Sequence, residues 1–150
     1  MADYQYVVFK LGDGWYAGNI MNIREIVKPM AITPVPNNPP FIEGVIKLRG
    51  EVIPVLDLKK RFKLGTYDEN SQHTRFIIAE VDYKPIAFIV DEVREVLRLE
   101  DKDIGPIPDV VAIGKEYITG TAENNGRLVI LLDMAKILTV DEREVLAAIS

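Results

Sequence analysis

The side chains able to do chemistry in this chain are few and poorly placed. The single histidine, His73, lies in "ENSQH" (69–73), a polar stretch with no partner near it in sequence. An imidazole that works as base or metal ligand is set up by the group its other nitrogen contacts, so His73 is assigned neither role. There is no cysteine, which removes disulfides, thiolate metal sites and cysteine nucleophiles together. No serine stands in a nucleophile-elbow pattern. Gly12-Asp13-Gly14 lacks the strand–loop–helix setting of a phosphate loop and reads as a hairpin turn. Asp91, Glu92 and Glu95 lie close together, and paired carboxylates can act as acid and base. Three acids in five residues read instead as a turn or a solvated edge. Trp15 reads as packing at the end of a barrel. No catalytic residue, cofactor or metal is assigned, and the chain is read as a non-enzyme.

The bulk numbers agree with a binding role. The chain has 150 residues, 48% hydrophobic and 27% charged, with a net charge of −5. That length supports a real core without staples. The acidic balance, with no aromatic–basic interleaving, argues against a small nucleic-acid-binding β-barrel, the reading of another class weighed here. No apolar run approaches the ~20 residues of a membrane helix, and the N-terminus lacks a secretory pattern. A cytoplasmic chain without direct membrane insertion is expected.

The positioning elements come twice. "FIEGVIKLRGEVIPVLDLKKRF" (41–62) lies without gaps on "YITGTAENNGRLVILLDMAKIL" (117–138), matching Ile42, Gly44, Gly50, Leu56, Asp57 and Lys60 to Ile118, Gly120, Gly126, Leu132, Asp133 and Lys136. "YVVFKLGDGWYAGNIMNIREIV" (6–27) lies on residues 76–97, and "ITPVP" (32–36) on "IGPIP" (104–108). Each copy reads as five strands, near 4–11, 15–18, 23–28, 43–48 and 51–56, then 75–81, 86–90, 93–99, 118–123 and 127–132. Gly44, Gly50, Gly120 and Gly126 are assigned to structural turns. Asp57 and Asp133 follow strands and are assigned as helix caps. Thr139 and Glu142 form a capping-box pattern opening a terminal helix over 139–150, docked by Val145, Leu146 and Ile149.

Five strands per copy are too few for a flat sheet, and curling them into small barrels removes exposed edges. Val52, Ile53, Val55 and Leu56, like Leu128 to Leu132, are apolar on both faces. One face fills a barrel, and the other must pack against the sister barrel or a partner. Pro54 has no N–H to give a ladder and belongs where its strand faces a gap. The expected fold is all-β: two small five-stranded barrels packed against each other, with a short C-terminal helix. The barrels are expected at about 1–66 and 74–138, with a strand exchange between them left open.

The copies differ at one hairpin tip. Asn125-Gly126 is a strong two-residue hairpin turn, but Arg49 fills the matching place before Gly50. A bulky residue is a poor choice for positive φ; a three-residue turn with only Gly50 left-handed would tolerate it. Arginine beside an apolar surface is also a common interface residue, with Glu25 its expected partner.

"ITPVP…FIEGVIKLRGEVIPVLDL", "REIV", "FIVDEV" and "YITGTAENNGRLVILLDMAKIL" together resemble the bacterial chemotaxis coupling proteins, the CheW-like family, from about Tyr4 to Leu138. Lys47 stands where that family usually has asparagine. The resemblance implies two SH3-like five-stranded barrels around a shared hydrophobic core, and a non-catalytic scaffold in signal transduction, held at membrane-bound receptor arrays by protein partners. Those partners are the regulatory domain of the chemotaxis histidine kinase and the cytoplasmic helical tip of chemoreceptors. It assigns Ile20, Ile23, Glu25, Arg49, Val90 and Val93 to a receptor groove, and Ile32, Thr33, Val35, Pro36 and Val52 to kinase contact. The same double barrel also occurs as the regulatory domain of the kinase itself and in receiver-fused coupling proteins.

Overall fold

A computed structural model describes residues 3–107 and 116–149, the latter residue without its side chain. Pro108 of the second matched segment, and the Ile149 side chain expected on the docked helix face, lie outside the described residues. Among the described residues the strands are β1 (Asp3–Leu11), β2 (Gly14–Asn19), β3 (Ile23–Val27), β4 (Ile42–Leu48), β5 (Glu51–Asp57), β6 (Arg75–Val81), β7 (Lys84–Val90), β8 (Glu92–Glu100), β9 (Ile118–Asn124) and β10 (Arg127–Leu132). A single helical turn, α1 (Leu58–Arg61), follows β5, and α2 (Val140–Ile149) ends the fold.

The strands form two five-stranded sheets, ordered β8-β1-β2-β10-β9 (barrel A) and β3-β6-β7-β5-β4 (barrel B). Replacing each strand of one copy by its counterpart in the other converts one order into the other, which is how a duplicated sequence should fold. The expected boundary near residues 66–74 does not separate the sheets, however. The copies exchange their first hairpins. β1 and β2 join β8–β10 through the parallel pair β2–β10, while β6 and β7 join β3–β5 through the parallel pair β5–β7. Every barrel is thus built by both halves of the chain. Pro54 sits where a missing donor costs nothing: β5 pairs with β7 only over Val55–Asp57.

Each barrel closes by the chain leaving one edge strand and bridging to the opposite edge. After β3, Thr33 pairs with Val45 of β4, with N···O distances of 2.8 and 2.9 Å; after β8, Gly105 pairs with Thr121 of β9 at 2.7 and 3.2 Å. Gly44 and Gly120 lie within β4 and β9 and not in turns, and the close approach at these crossings is what requires glycine. A Cβ on Gly44, at φ +145°, would lie 2.1 Å from the Thr33 carbonyl oxygen, and one on Gly120 would lie 2.9 Å from the Gly105 oxygen.

Period-two alternation sorts the apolar residues into three cores. Val8, Ala17, Val129 and Leu131 fill barrel A. Ile46, Ile53, Val55, Phe76, Ile78 and Ile89 fill barrel B. Their chain neighbours Phe9, Tyr16, Leu56, Ile77, Phe88 and Leu132 face the other way, into one core shared by the barrels. Rings of Phe9, Tyr16, Phe62 and Tyr117 run through it with successive centroids 6.2, 6.3 and 5.3 Å apart. The second apolar face of β5 and β10 reaches the seam through Leu56, Ile130 and Leu132, while Val52 and Leu128 stay exposed.

The caps take their expected places. Asp57 Oδ1 accepts from Lys59 N and Asp133 Oδ1 from Ala135 N, each at 3.0 Å. Buried Asp57 also accepts from Tyr67 N and Thr66 Oγ1, so its desolvation is offset by hydrogen bonds. Thr139 and Glu142 close the capping box reciprocally at 2.8 and 3.1 Å. Leu146 docks α2 into the shared core, and Arg143 ties it to Asp82. Val145 is 41% exposed and does not dock, because it points away from the face that Leu146 buries.

Truncating Leu131, fully buried in barrel A, or Leu56, fully buried in the seam, to alanine is expected to cost ~2–5 kcal/mol in chemical denaturation. A midpoint unchanged by Leu56→Ala would contradict the shared core. Gly44→Ala should also destabilise the fold, since the clashing atom is backbone rather than a movable side chain.

Candidate functional site

The Arg49-Gly50 turn is a two-residue hairpin, and both residues are left-handed, with φ of +50° and +84°. Leu48 pairs with Glu51 across it. This excludes the alternative of a three-residue turn with only Gly50 left-handed and makes the turn the counterpart of Asn125-Gly126. The reason is the duplicated framework. Asn125 and Gly126 adopt the same geometry, with φ of +54° and +76°, and β4 and β5 leave no room for a third loop residue. Arginine thus occupies a backbone position that suits asparagine and strains larger residues.

Its side chain explains what is gained. Arg49 forks onto Glu25 of β3, donating from Nη1 to Oε2 and from Nη2 to Oε1, the latter at 2.7 Å. On the other side of the turn, Glu51 accepts from Arg24 at 3.1 Å, and Arg24 also reaches Glu80 at 3.0 Å. Consecutive residues of β3, Arg24 and Glu25, therefore clamp both flanks of the β4–β5 turn. The guanidinium fork fixes orientation as well as distance. The Arg49 hydrogen bond holds the Glu25 carboxyl below the ordinary glutamate range, and Glu25 in turn raises Arg49. The Arg49 side chain remains 67% exposed and that of Glu25 24%, so the fork presents charge to solvent while fixing the turn.

Apolar residues flank β3. Ile20 is half-buried in a 3-10 turn over Ile20–Asn22, whose cap is Asn19 Oδ1 accepting from Met21 N at 2.9 Å. Ile23 and Val93, counterparts in the two copies, are half-buried and pack on the shared core from β3 and β8. Val90 does not line a surface. It has no exposed area, because it ends β7 in pairing with Arg75, whereas its counterpart Ile20 has already left the sheet. Met21, 85% exposed beside Ile20, was not singled out from sequence. Its signal was an apolar residue two positions after a capping asparagine.

The second expected surface lies on barrel B. Val45 and Lys47 of β4 and Val52 of β5 share the outward face, with Lys47 opposite Val52, whereas Pro54, opposite Val45, is buried. Thr33 is bridged to Val45. Val52 is 44% exposed and Pro36 is exposed, whereas Ile32 and Val35 are half-buried, with Ile32 packed on the barrel B core. Thr33 and Val52 therefore lie on opposite sides of β4, and Ile32 contributes mostly to the barrel interior.

The acids considered for chemistry have other partners. Asp91 accepts from Gly12 N at 2.7 Å and pairs with Lys59 at 3.2 Å, latching two turns together. Glu92 pairs with Arg94, and Glu95 accepts from Asn124. His73 borders an open depression with Arg75, Glu92, Val93, Arg94 and Glu95. Among the described residues no group of three or more His, Asp or Glu is arranged to hold a metal, and no helix is long and apolar enough to cross a membrane. A cleft of ≈430 Å³ between α2 and the β6–β7 hairpin is lined by Pro54, Val81, Ile86 and Leu146. It lies apart from the Arg49 turn.

Comparison with known proteins agrees with this geometry. Residues 5–142 match the CheW-like domain family. The chain is 34% identical to the chemotaxis protein CheW of Treponema pallidum, over 96% of this chain and 87% of that one. It is 35% identical to the CheW of Helicobacter pylori, over 91% and 82%. The crystal structure of the scaffolding protein TtCheW from Thermoanaerobacter tengcongensis superposes with a TM-score of 0.85 at 36% identity, covering 95% of this chain and 92% of that one. Twin barrels that trade hairpins around a shared core, matched over nearly their whole length, place this chain in the CheW-like family of chemotaxis proteins.

Proposed function

We propose that this chain is a non-catalytic adaptor that couples chemoreceptors to the chemotaxis histidine kinase in the cytoplasm, held at receptor arrays by its partners. The observation that carries this reading is Arg49. A strained residue at a hairpin tip, forked onto Glu25 beside exposed apolar side chains, adds little to stability and is suited to recognition. The helical tip of a receptor would lie against Ile20, Met21, Ile23 and Val93, a helix laid on an apolar surface with a charged rim. The Glu25–Arg49 fork would set its register. The regulatory domain of the kinase would meet the outward face of β4 and β5, around Thr33, Val35, Pro36 and Val52. Lys47 lies on that face and adds a positive charge beside Val52.

Separate pull-downs with a purified receptor signalling fragment and the purified kinase regulatory domain test the assignment. Arg49→Glu places two carboxylates face to face and should weaken capture of the receptor fragment while circular dichroism stays native. Unchanged capture of both partners would reject the role of Arg49. Val52→Asp should selectively weaken the kinase arm.

Arg49→Asn copies the residue of the sister turn. It should leave the denaturation midpoint unchanged or higher, because asparagine suits positive φ better, yet lower receptor capture. A loss of stability with binding intact would reverse the interpretation of this turn.

The pH dependence has a definite sign. Glu25 is ionised in the fork, and its folded pKa lies below the ordinary value of 4.5. The contribution of the pair is fully present above that ordinary value and fades as pH falls through the lowered one. Carboxyl NMR should show Glu25 titrating below 4.5 in the parent and returning toward that value in Arg49→Asn.

A further inference from the structure

The duplicated framework allows the hairpin ends of the two barrels to be compared position by position. In barrel B the cluster is Arg24, Glu51 and Glu80, and the guanidinium is neutralised by both carboxylates at 3.1 and 3.0 Å. The matching positions in barrel A are Arg94, Arg127 and Lys10, all cations. The position of Pro85 is taken there by Trp15, which packs against the end of the barrel A core. The Arg127 guanidinium lies 4.2 Å from the Trp15 ring centroid, Arg94 5.5 Å and the Lys10 ammonium 6.0 Å. Arg94 pairs with Glu92. Among the described residues Lys10 and Arg127 have no carboxylate partner.

Three cations around one indole repel each other, and the ring only partly offsets this through its quadrupole. The same framework accepts acids at two of these positions, as barrel B demonstrates, so the backbone does not demand the cations. A guanidinium stacked on an indole keeps its N–H edge free and oriented for a carboxylate. We propose that the Lys10–Trp15–Arg94–Arg127 cluster is a docking site for an acidic segment of a protein partner, which supplies from outside the carboxylates that Glu51 and Glu80 supply within barrel B. The surroundings favour a short acidic peptide over a polyanion or an anionic membrane. Glu92 stands opposite Lys10 in register, Asp13 is in the adjoining turn, and the whole chain carries −5. An extended anionic surface would meet these acids as well as the cations.

Trp15 is the only tryptophan, so its fluorescence reports on this site alone. Titration of the full chain with an acetylated hexaglutamate peptide should change Trp15 emission saturably, and raising salt should weaken the response. Lys10→Gln and Arg127→Gln should each weaken binding about tenfold, the equivalent of one charge-assisted hydrogen bond. Arg24→Gln in barrel B should have no effect on it. Hexalysine should give no response. The proposal is overturned if hexaglutamate gives no saturable signal, if the Lys10→Gln/Arg127→Gln double variant binds as the parent does, or if phosphatidylglycerol vesicles or a single-stranded oligonucleotide bind more tightly than the peptide. Should Arg127→Gln fail to fold by circular dichroism, Lys10→Gln and the salt dependence decide alone. None of these outcomes depends on the receptor or kinase assignments.

Discussion

Burial of both faces of the central strands is the constraint on which this structure depends. A strand in an isolated small barrel needs one apolar face. Here β5, β6, β7 and β10 carry two, and the second finds cover only because the barrels share a core. Exchange of the first hairpins makes that sharing obligatory. β1 and β2 complete a sheet whose other members lie more than 70 residues away, and β6 and β7 complete the sheet built by β3, β4 and β5 of the other half. Asp91 reinforces the arrangement by holding Gly12 and Lys59 at once. The result is a rigid frame whose apolar surface is largely spent inside, leaving recognition to turns and edges.

The two hairpin tips show how a duplicated frame acquires separate duties. Both demand two left-handed residues. At one tip Asn125 meets the demand with little strain, and Asn124 reaches Glu95. At the other, Arg49 meets it at greater backbone cost and forks onto Glu25. Backbone geometry is identical in kind, so the difference lies in what each tip presents to solvent. The neighbouring charges diverge in the same way: an arginine paired with two carboxylates in barrel B, and three cations at the matching positions in barrel A. Fold symmetry supplies the internal control by which each departure is recognised.

Much of this was legible in the sequence. The strands fall within two residues of their expected positions, because alternation and turn residues are local signals. Asp57, Asp133 and the Thr139–Glu142 box were readable for the same reason. Pairing across the halves was not, since parallel contacts such as Val55–Ala87 leave no local mark, and either partner of a repeat satisfies the same apolar pattern. Val90 and Val145 show the corresponding difficulty for surfaces. Both are apolar and flank plausible contacts, yet one ends a buried strand and the other turns away from the docked face. The Glu25–Arg49 pair was foreseeable from residue type. The clamp by Arg24 on Glu51 required the closed barrel to be seen.

The traded hairpins also bear on origins. A half-length ancestor with this pairing could not have closed either lobe by itself. Two such molecules would have had to lend each other a hairpin, so the primitive form would have been an entwined homodimer. Gene fusion then turned a concentration-dependent embrace into a permanent one, and freed each lobe to diverge without risk of losing its mate.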